Sequence, residues 1–283
     1  MNHTPPGTLF VVATPIGHRA DASQRMISTL QQVSLIAAED TRHSQPLLSH
    51  YDITTPLCSL HEHNEHSQSQ QLVDKLLKGE SIAVISDAGT PGISDPGQVL
   101  VQLAHQHHIP VSPIPGANAA ISLMSVTGFK NGRFLFIGFL PTKTQERATL
   151  LKELKEEPYT LLFYEAPHRI KETLSTLCDV FGEDRSIVIG RELTKLFEEV
   201  HSTTLGEAII WVSDNPNRRK GEYVLAVEAY QVDQRTLDET RHDKLITELL
   251  SKLSLSDAVK LAVNITGEKK NFLYDRALRL ATP

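Results

Sequence analysis

The feature that most constrains this chain is a regular alternation of short apolar runs with longer amphipathic segments, sustained from Leu9 to Val227. Residues 9–13 are a continuous apolar run stopped by Thr14-Pro15, which reads as a buried strand, and 21–33 then shows helical spacing through Met26, Leu30 and Val33. The pattern repeats, with strands predicted over 35–38, 81–85 and 111–114 and helices over 64–77 and 98–107. A second set follows Gly128, with strands over 134–137, 160–164, 186–190 and 223–227, and helices over 144–156, 167–180 and 206–212. Residues 198–204 alternate in polarity and read as an antiparallel strand. Two successive α/β units, each with its own sheet, fit this better than one sheet of all the strands. We place them at 1–127 and 128–232, followed by a linker and helical extension over 233–283. Within that extension the polar stretch 231–240 reads as linker. Helices are expected over 242–253, 256–264 and 269–280, with Ser256 as an N-cap and Thr266-Gly267 as the turn of a helix-turn-helix-like arrangement.

The totals exclude several classes. A chain of 283 residues with 40% hydrophobic and 22% charged residues can build sizeable cores. No apolar stretch is long enough to span a bilayer, and residues 1–6 carry no signal-peptide pattern. Cys58 and Cys178 are far apart, which fits a cytoplasmic chain and neither a disulfide scaffold nor a zinc site. The histidines His61, His63 and His66, and His105, His107 and His108, gather at helix ends where histidine is common, and no metal is expected. The net charge is −6, but residues 241–283 hold eight Lys/Arg and five Asp/Glu, so a tail of +3 follows a body of −9.

Three loops after strands are rich in small residues: 14–17, 87–97 and 115–117. The eleven residues from Asp87 to Gly97 include three Gly and two Pro, more than chain reversal requires. In an open α/β sheet, ligands collect beyond the carboxyl ends of strands, so these loops are read as a binding site. Neither the dinucleotide pattern G-x-G-x-x-G nor a P-loop is present, and the acidic-plus-glycine loop of the commonest methyltransferase fold is missing.

The ordered segments Thr14-Pro15-Ile16-Gly17, Ala38-Glu39-Asp40-Thr41-Arg42, the string from Ser86 through Asp87-Ala88-Gly89-Thr90 to Gly97, Pro115-Gly116, and Tyr164-Glu165-Ala166-Pro167-His168-Arg169 carry a resemblance. Together with Arg191-Glu192-Leu193-Thr194-Lys195 and Arg218-Arg219-Lys220-Gly221-Glu222, they resemble the ribosomal RNA small subunit methyltransferase I family over residues 9–229. The chain departs from that pattern at His18-Arg19, where relatives usually carry Asn-Leu, and at Ala117-Asn118, where a Pro or Ser is more usual. The resemblance implies the two-domain α/β tetrapyrrole-methylase (class III methyltransferase) fold with a small helical, helix-turn-helix-like extension. It implies S-adenosylmethionine as cofactor and 2'-O-methylation of a cytidine in 16S ribosomal RNA. It also implies the small ribosomal subunit as partner, and a homodimer without a membrane association.

The same resemblance assigns cofactor contacts to Pro15, Ile16, Gly17, Asp87, Ala88, Gly89, Thr90, Gly116, Ala117, Tyr164, Ala166, Leu193 and Glu222. A ribose hydroxyl is a weak acid, so a general base would help, and Asp40, Glu165 and His168 are candidates for it. Arg42, Arg169, Lys195, Arg218, Arg219 and Lys220 are expected to meet RNA phosphates, Arg169 in a bidentate manner. Two other functions are compatible with parts of the pattern. One is methylation of a tetrapyrrole or other small molecule on the same fold. The other is non-catalytic binding of RNA or ribosomes through the basic tail. The Glu165–Arg169 segment and the tail favour RNA over a small molecule, and the cofactor loops favour an enzyme over a binding module.

Overall fold

Runs of Leu, Ile, Val and Ala supply most of the first sheet in the computed structural model, which describes residues 5–231 and 234–281. The strands are β1 (Leu9–Val12), β2 (Leu35–Ala38), a three-residue β3 (Leu57–Ser59), β4 (Ile82–Ile85) and β5 (Val111–Ile114). All pair in parallel, in the order β3-β2-β4-β1-β5. The sheet is covered on both faces, which explains why its central strands β2, β4 and β1 read as unbroken apolar runs. On one face Val12, Ile36, Ala38 and Ile85 pack against α1 (Gln24–Gln32) and α2 (Thr41–His50). On the other, Leu9, Ala37, Ile82 and Val84 meet α3 (Glu65–Leu77) and α4 (Gln98–Gln106). Each fully buried Leu, Ile or Val contributes roughly 1.5–3 kcal/mol of transfer free energy.

The second sheet is mixed. β6 (Phe134–Phe139) runs parallel to β7 (Thr160–Glu165), while β10 (Tyr223–Val227) lies antiparallel to both β7 and β8 (Ser186–Arg191). β9 (Glu199–Thr204) pairs antiparallel with β8 at the edge, as its alternation predicts. The order is β6-β7-β10-β8-β9. One face carries α6 (Thr144–Leu154), α7 (Ile170–Phe181) and α8 (Leu205–Asp214) over a core that includes Leu161, Phe163, Ile189 and Leu225. The opposite face is covered by α5 (Ala119–Val126), whose Ala120 and Leu123 sit on Leu162, Val188, Val224 and Ala226. This helix follows the last strand of the first sheet and packs on the second, so the two sheets share one framework. A bulge in β6 shifts its register against β7 between Phe136, opposite Leu162, and Gly138, opposite Phe163, leaving Phe139 opposite Tyr164.

Two of these helices have no counterpart in the sequence reading. α2 is capped by Asp40 and contains Pro46, and α5 is only eight residues long behind an Asn118 cap. Neither has the long apolar stripe by which helices are recognised.

A second compact unit starts at Tyr230. It holds α9 (Gln234–Leu250), α10 (Leu255–Thr266) and α11 (Lys270–Ala281) around Ile246, Val259, Ala262, Leu273 and Ala277. The expected linker over 231–240 is corrected here: 232–233 lie outside the described residues, and from Gln234 the chain is already helical. The N-cap of α10 is Ser254, which accepts from the Asp257 amide, and not Ser256. Gly267 ends that helix in the left-handed conformation, as the expected turn requires. Arg276 and Asp243 tie α11 to α9 through hydrogen bonds of 2.6 and 2.7 Å. No helix among the described residues is long and apolar enough to cross a membrane.

Candidate functional site

Because the first sheet is all parallel, the carboxyl ends of β1, β2, β4 and β5 open onto one edge, and their loops converge there. The loops after β1 and β4 are clamped by a reciprocal backbone pair, Thr14 N to Gly89 O at 2.8 Å and Gly89 N to Thr14 O at 3.1 Å. The loops after β2 and β4 are tied in the same way by side chains. The Asp40 amide donates to Asp87 Oδ1 at 3.2 Å and the Asp87 amide donates to Glu39 Oε2 at 3.3 Å. Thr90 Oγ1 donates to the Ala117 carbonyl at 3.2 Å, which brings in the loop after β5. Gly89 holds φ +82° at the crossing point, a conformation that side chains with a branched Cβ strongly resist.

The antiparallel β10 brings its first residues to the edge where β7 and β8 end, with Tyr223 opposite both Glu165 and Arg191. The two loop edges enclose a cleft of about 340 Å³, within the size range of small-molecule sites. Its first-sheet wall is Ile16, Glu39, the Asp87–Thr90 stretch and Ile93 to Asp95. Its second-sheet wall is Phe139, Tyr164 to Pro167, and Glu222 to Val224. One side is apolar and aromatic: Tyr164 meets Phe136 and Phe139 edge-on, with ring centroids 5.0 and 5.6 Å apart. The other side is acidic. Burial pushes the Glu39 and Asp95 carboxyls above the ordinary carboxylate range, with the neighbouring Asp87 charge acting in the same direction. Burial likewise raises the Tyr164 phenol.

A second cavity of about 420 Å³ adjoins the cleft. Ile16, Asp87, Ala88 and Glu222 line both. Beyond that shared wall the second cavity is bounded by Pro15, Gly17, Arg19 and the start of α2. A Cβ on Gly17 would lie 2.5 Å from Lys195 Cγ and 2.7 Å from Thr194 Oγ1, so only glycine lets the two loops meet at this distance. The contact is fastened by the His18 amide, which donates to Thr194 Oγ1 at 3.0 Å.

The structure sorts the expected site residues into three groups. Ile16, Asp87, Ala88, Gly89, Thr90, Tyr164, Ala166 and Glu222 line the cleft, while Pro15, Gly17, Arg42 and Lys195 line the adjoining cavity. Gly116 and Ala117 stand behind the wall: a Cβ on Gly116 would meet that of Ala13 at 2.9 Å, and Ala117 offers its carbonyl to Thr90. Leu193 packs into the core under α5. The third group holds the scaffold. Glu165 reaches the cleft wall, but its oxygens accept from Thr173 Oγ1 at 2.5 Å and the Ala166 amide at 2.7 Å, and Arg169 lies 3.4 Å away. Arg169 in turn donates to the Leu140 and Pro141 carbonyls at 2.7 and 3.1 Å.

Arg218 lies over the Trp211 ring at 4.0 Å and is bound to Glu199. Lys195 is shared between Glu192 and Glu222, at 3.1 and 2.9 Å. Arg219, Lys220 and His168 are exposed and line neither cavity. Asp40 caps α2 and grips Arg42, whose guanidinium holds the Asp40 carboxyl far below the ordinary range. The sequence reading named Asp40 as a base candidate and left Glu39, which lines the cleft, without a role. It assigned none to Asp95, Ile93, Asn118 or Phe139, all of which line the cleft. For Asp95 and Ile93 the signal was present, since both lie inside the glycine-rich string.

Comparison with known proteins places this geometry. The family described as Tetrapyrrole (Corrin/Porphyrin) Methylases matches residues 8–209, and the RsmI C-terminal HTH domain matches residues 236–281. Ribosomal RNA small subunit methyltransferase I of Pseudomonas aeruginosa is 46% identical over 274 residues, covering 96% of this chain and 97% of the relative. The protein of the same name from Pasteurella multocida is 47% identical, again over 96% of this chain and 97% of its own length. Among solved structures, diphthine synthase superposes with a TM-score of 0.61 at 14% identity, covering 82% of this chain and 93% of that one. Cobalt precorrin-4 methyltransferase, a cobalamin biosynthetic enzyme, gives 0.57 at 16% identity, covering 77% and 94%. At such identities the two structures speak for the fold alone.

Proposed function

The chain belongs to the ribosomal RNA small subunit methyltransferase I family of the tetrapyrrole methylases, and on that premise we propose that it transfers a methyl group from S-adenosylmethionine to the 2'-oxygen of a cytidine in 16S ribosomal RNA. The observation that carries the reading is the convergence of the matched loops on one cleft, with Ile16 and Asp87–Thr90 facing Tyr164, Ala166 and Glu222.

The residues present fit the cofactor. S-adenosylmethionine is a flat heterocycle joined to a cationic sulfonium and a charged amino-acid group, and its sulfonium supplies the electrophilic methyl. The apolar, aromatic side at Ile93, Phe139 and Tyr164 suits the ring, and the carboxylates Glu39, Asp87 and Asp95 suit the cationic part. Backbone exposed by Gly89 admits close approach. The protein's own contribution is positioning, since displacement at the methyl needs an in-line hydroxyl, together with removal of the hydroxyl proton.

Among the groups considered for that proton, Asp40 is committed to Arg42 and Glu165 to Thr173 and Ala166, while His168 lies outside the cleft. Glu39 faces the cleft, where one of its oxygens accepts from the Asp87 amide at 3.3 Å and burial raises its carboxyl, and we assign it the role. Comparing Asp40→Asn, Glu165→Gln, His168→Ala and Glu39→Gln for turnover at saturating cofactor separates these assignments. The small ribosomal subunit is the proposed partner and a homodimer the proposed assembly. A single-chain mass in light scattering would overturn the homodimer.

Labelled methyl transfer to small subunits prepared without the modification, followed by mapping of 2'-O-methylated cytidine, tests the activity. Transfer to one cytidine is the expected result, and no transfer with cofactor bound would refute it. The body's net charge of −9 opposes capture of naked RNA by broad charge neutralisation, so short oligonucleotides are expected to be poor substrates.

A further inference from the structure

The four sheet edges of the catalytic unit are guarded unequally. An edge strand offers unpaired amides and carbonyls to any other strand, and folded chains blunt it with shortness, proline, bulges or lysine. In the first sheet β3 is only three residues long and β5 carries Pro113. In the second sheet β6 is interrupted by its bulge, with Gly138 at φ +77°. The remaining edge, β9, has none of these devices. Its six residues, Glu-Val-His-Ser-Thr-Thr, keep register with β8 from end to end. Its one carboxylate, Glu199, is already paired with Arg191 and Arg218 at 2.9 and 3.2 Å, so covering this edge buries no unpaired ion.

The ladder fixes which groups are free. The Leu205 amide donates to the Arg185 carbonyl at 2.9 Å, and bonded and outward positions alternate along an antiparallel strand. Glu199, His201 and Thr203 therefore bond to β8, while the amides and carbonyls of Val200 and Ser202 point away from it. No other backbone among the described residues takes them. The loop leading into β9 adds an apolar surface. Glu192 and Thr194 hold left-handed φ of +50° and +63°. The Thr194 amide donates to Glu198 Oε2 at 2.5 Å, and Arg191 reaches the Phe197 carbonyl at 3.3 Å. This tethered loop nonetheless leaves Leu196 88% and Phe197 66% exposed, and Val200 follows at 46%. Large apolar side chains held out in water on a fixed backbone mark an interaction surface.

We propose that β9 pairs antiparallel with β9 of a second copy of this chain, with Leu196, Phe197 and Val200 packed beside the seam. The inference rests on the homodimer named above and supplies its surface. Identical strands meet the geometric requirement by symmetry, because a twofold axis normal to a sheet relates strands that run antiparallel. A six-residue strand alone is too small to hold such a pair, since stable interfaces bury about 800 Å² per partner, so the apolar loop must take part. RNA suits this surface less well: Glu198 and Glu199 follow the exposed pair directly, and carboxylates repel phosphates. The seam also bears on the site. The same loop carries Thr194 and Lys195, which meet Gly17, and Lys195 lines the second cavity, so pairing braces that wall.

The test combines mass by analytical ultracentrifugation with amide hydrogen exchange, on wild type, Ser202→Pro, Phe197→Asp and Phe134→Asp, the last on the opposite edge strand. Ser202→Pro removes an outward amide and spares the β8 ladder, so the fold should stand, with unchanged cofactor affinity by calorimetry as the check. Ser202→Pro and Phe197→Asp should each raise the dimer Kd about tenfold or more, and Phe134→Asp should leave it unchanged. The Val200 amide should exchange about tenfold more slowly in the wild type than in Phe197→Asp at the same concentration. A wild type of single-chain mass overturns this inference and the homodimer together. A dimer with a fast-exchanging Val200 amide, or one that survives both edge variants, overturns the seam and leaves the homodimer standing. A Phe197→Asp protein that stays dimeric but no longer binds small ribosomal subunits would assign the patch to RNA and overturn the seam as well.

Discussion

The two halves of the catalytic unit employ arginine in opposite ways. Around the parallel sheet, Arg19 and Arg42 stand at a cavity mouth, with 89% of the Arg42 side chain exposed. Around the mixed sheet Arg147, Arg169 and Arg191 turn inward, while Arg219 is exposed. Arg147 is 1% exposed and reaches the Pro141 and Thr142 carbonyls, while Arg191 binds the carbonyls of Lys220 and Asn217, each at 2.9 Å. Loops of the parallel half satisfy one another through a backbone pair, Thr14 with Gly89, and through the carboxylates of Glu39 and Asp87. In the mixed half the guanidinium fork meets loop carbonyls at Pro141, Thr142, Asn217 and Lys220. A charged residue of the same type therefore lines an open cavity in one half and is a scaffold bolt in the other.

The largest effect expected from this contrast is on stability. Glu165→Ala leaves Arg169 poorly compensated in a buried setting and should lower the unfolding free energy by about 3 kcal/mol, read by urea titration. Arg42→Ala, which removes a solvent-exposed pair in the other half and keeps the Asp40 cap of α2, should leave the midpoint unchanged. Equal effects would dissolve the distinction. Next in size is Gly89→Val, which places a branched side chain at φ +82° and should weaken cofactor binding about tenfold in a folded protein. Calorimetry showing unaltered affinity would remove Gly89 from the site.

Ending the chain at Ala229, where the first compact unit stops, should leave cofactor binding intact and reduce subunit affinity by about tenfold as the basic tail is lost. A cut after Thr240 would fall inside α9, so the earlier position is the clean one. The smallest effect concerns Glu39 and Asp95. Both carboxyls are raised in the folded chain, so the stability they lend is full below the unfolded carboxylate range and is lost as pH rises through the folded values. Glu39→Gln and Asp95→Asn should each raise Tm by about one or two degrees near neutral pH, with no gain below about pH 4, while weakening cofactor binding a few-fold. A gain that persisted in acid would show that burial of charge is not its cause.

How much of this was legible depended on whether a residue's role is local. The strands 9–12, 35–38 and 82–85 were readable because double-sided burial writes itself as a continuous apolar run. The Asp87–Gly97 loop was readable because its glycines exceed what a turn needs. The role of Glu165 was not, since its partner Thr173 lies in the first turn of the following helix and nothing in the segment distinguishes a buried carboxylate from a catalytic one. Arg169 and Arg218 failed for the same reason: the carbonyls and the ring that hold them come from distant positions. Ser254, by contrast, was available. With Asp257 three residues on, it makes a better capping pair than Ser256.

The bulge in β6 makes chain length itself a determinant of the site. Phe136 and Phe139 are three residues apart, and an unbroken strand would place them on opposite faces. The additional residue between Phe136 and Gly138 turns both towards Tyr164, so the aromatic lip of the cleft depends on a count, together with Gly138, which holds φ +77° at the bulge. A conservative replacement of Ile137 should be nearly silent. A single-codon insertion ahead of Phe139 should carry that ring to the other face and leave the sheet folded with a blunted site, an outcome that no catalogue of point substitutions would reveal.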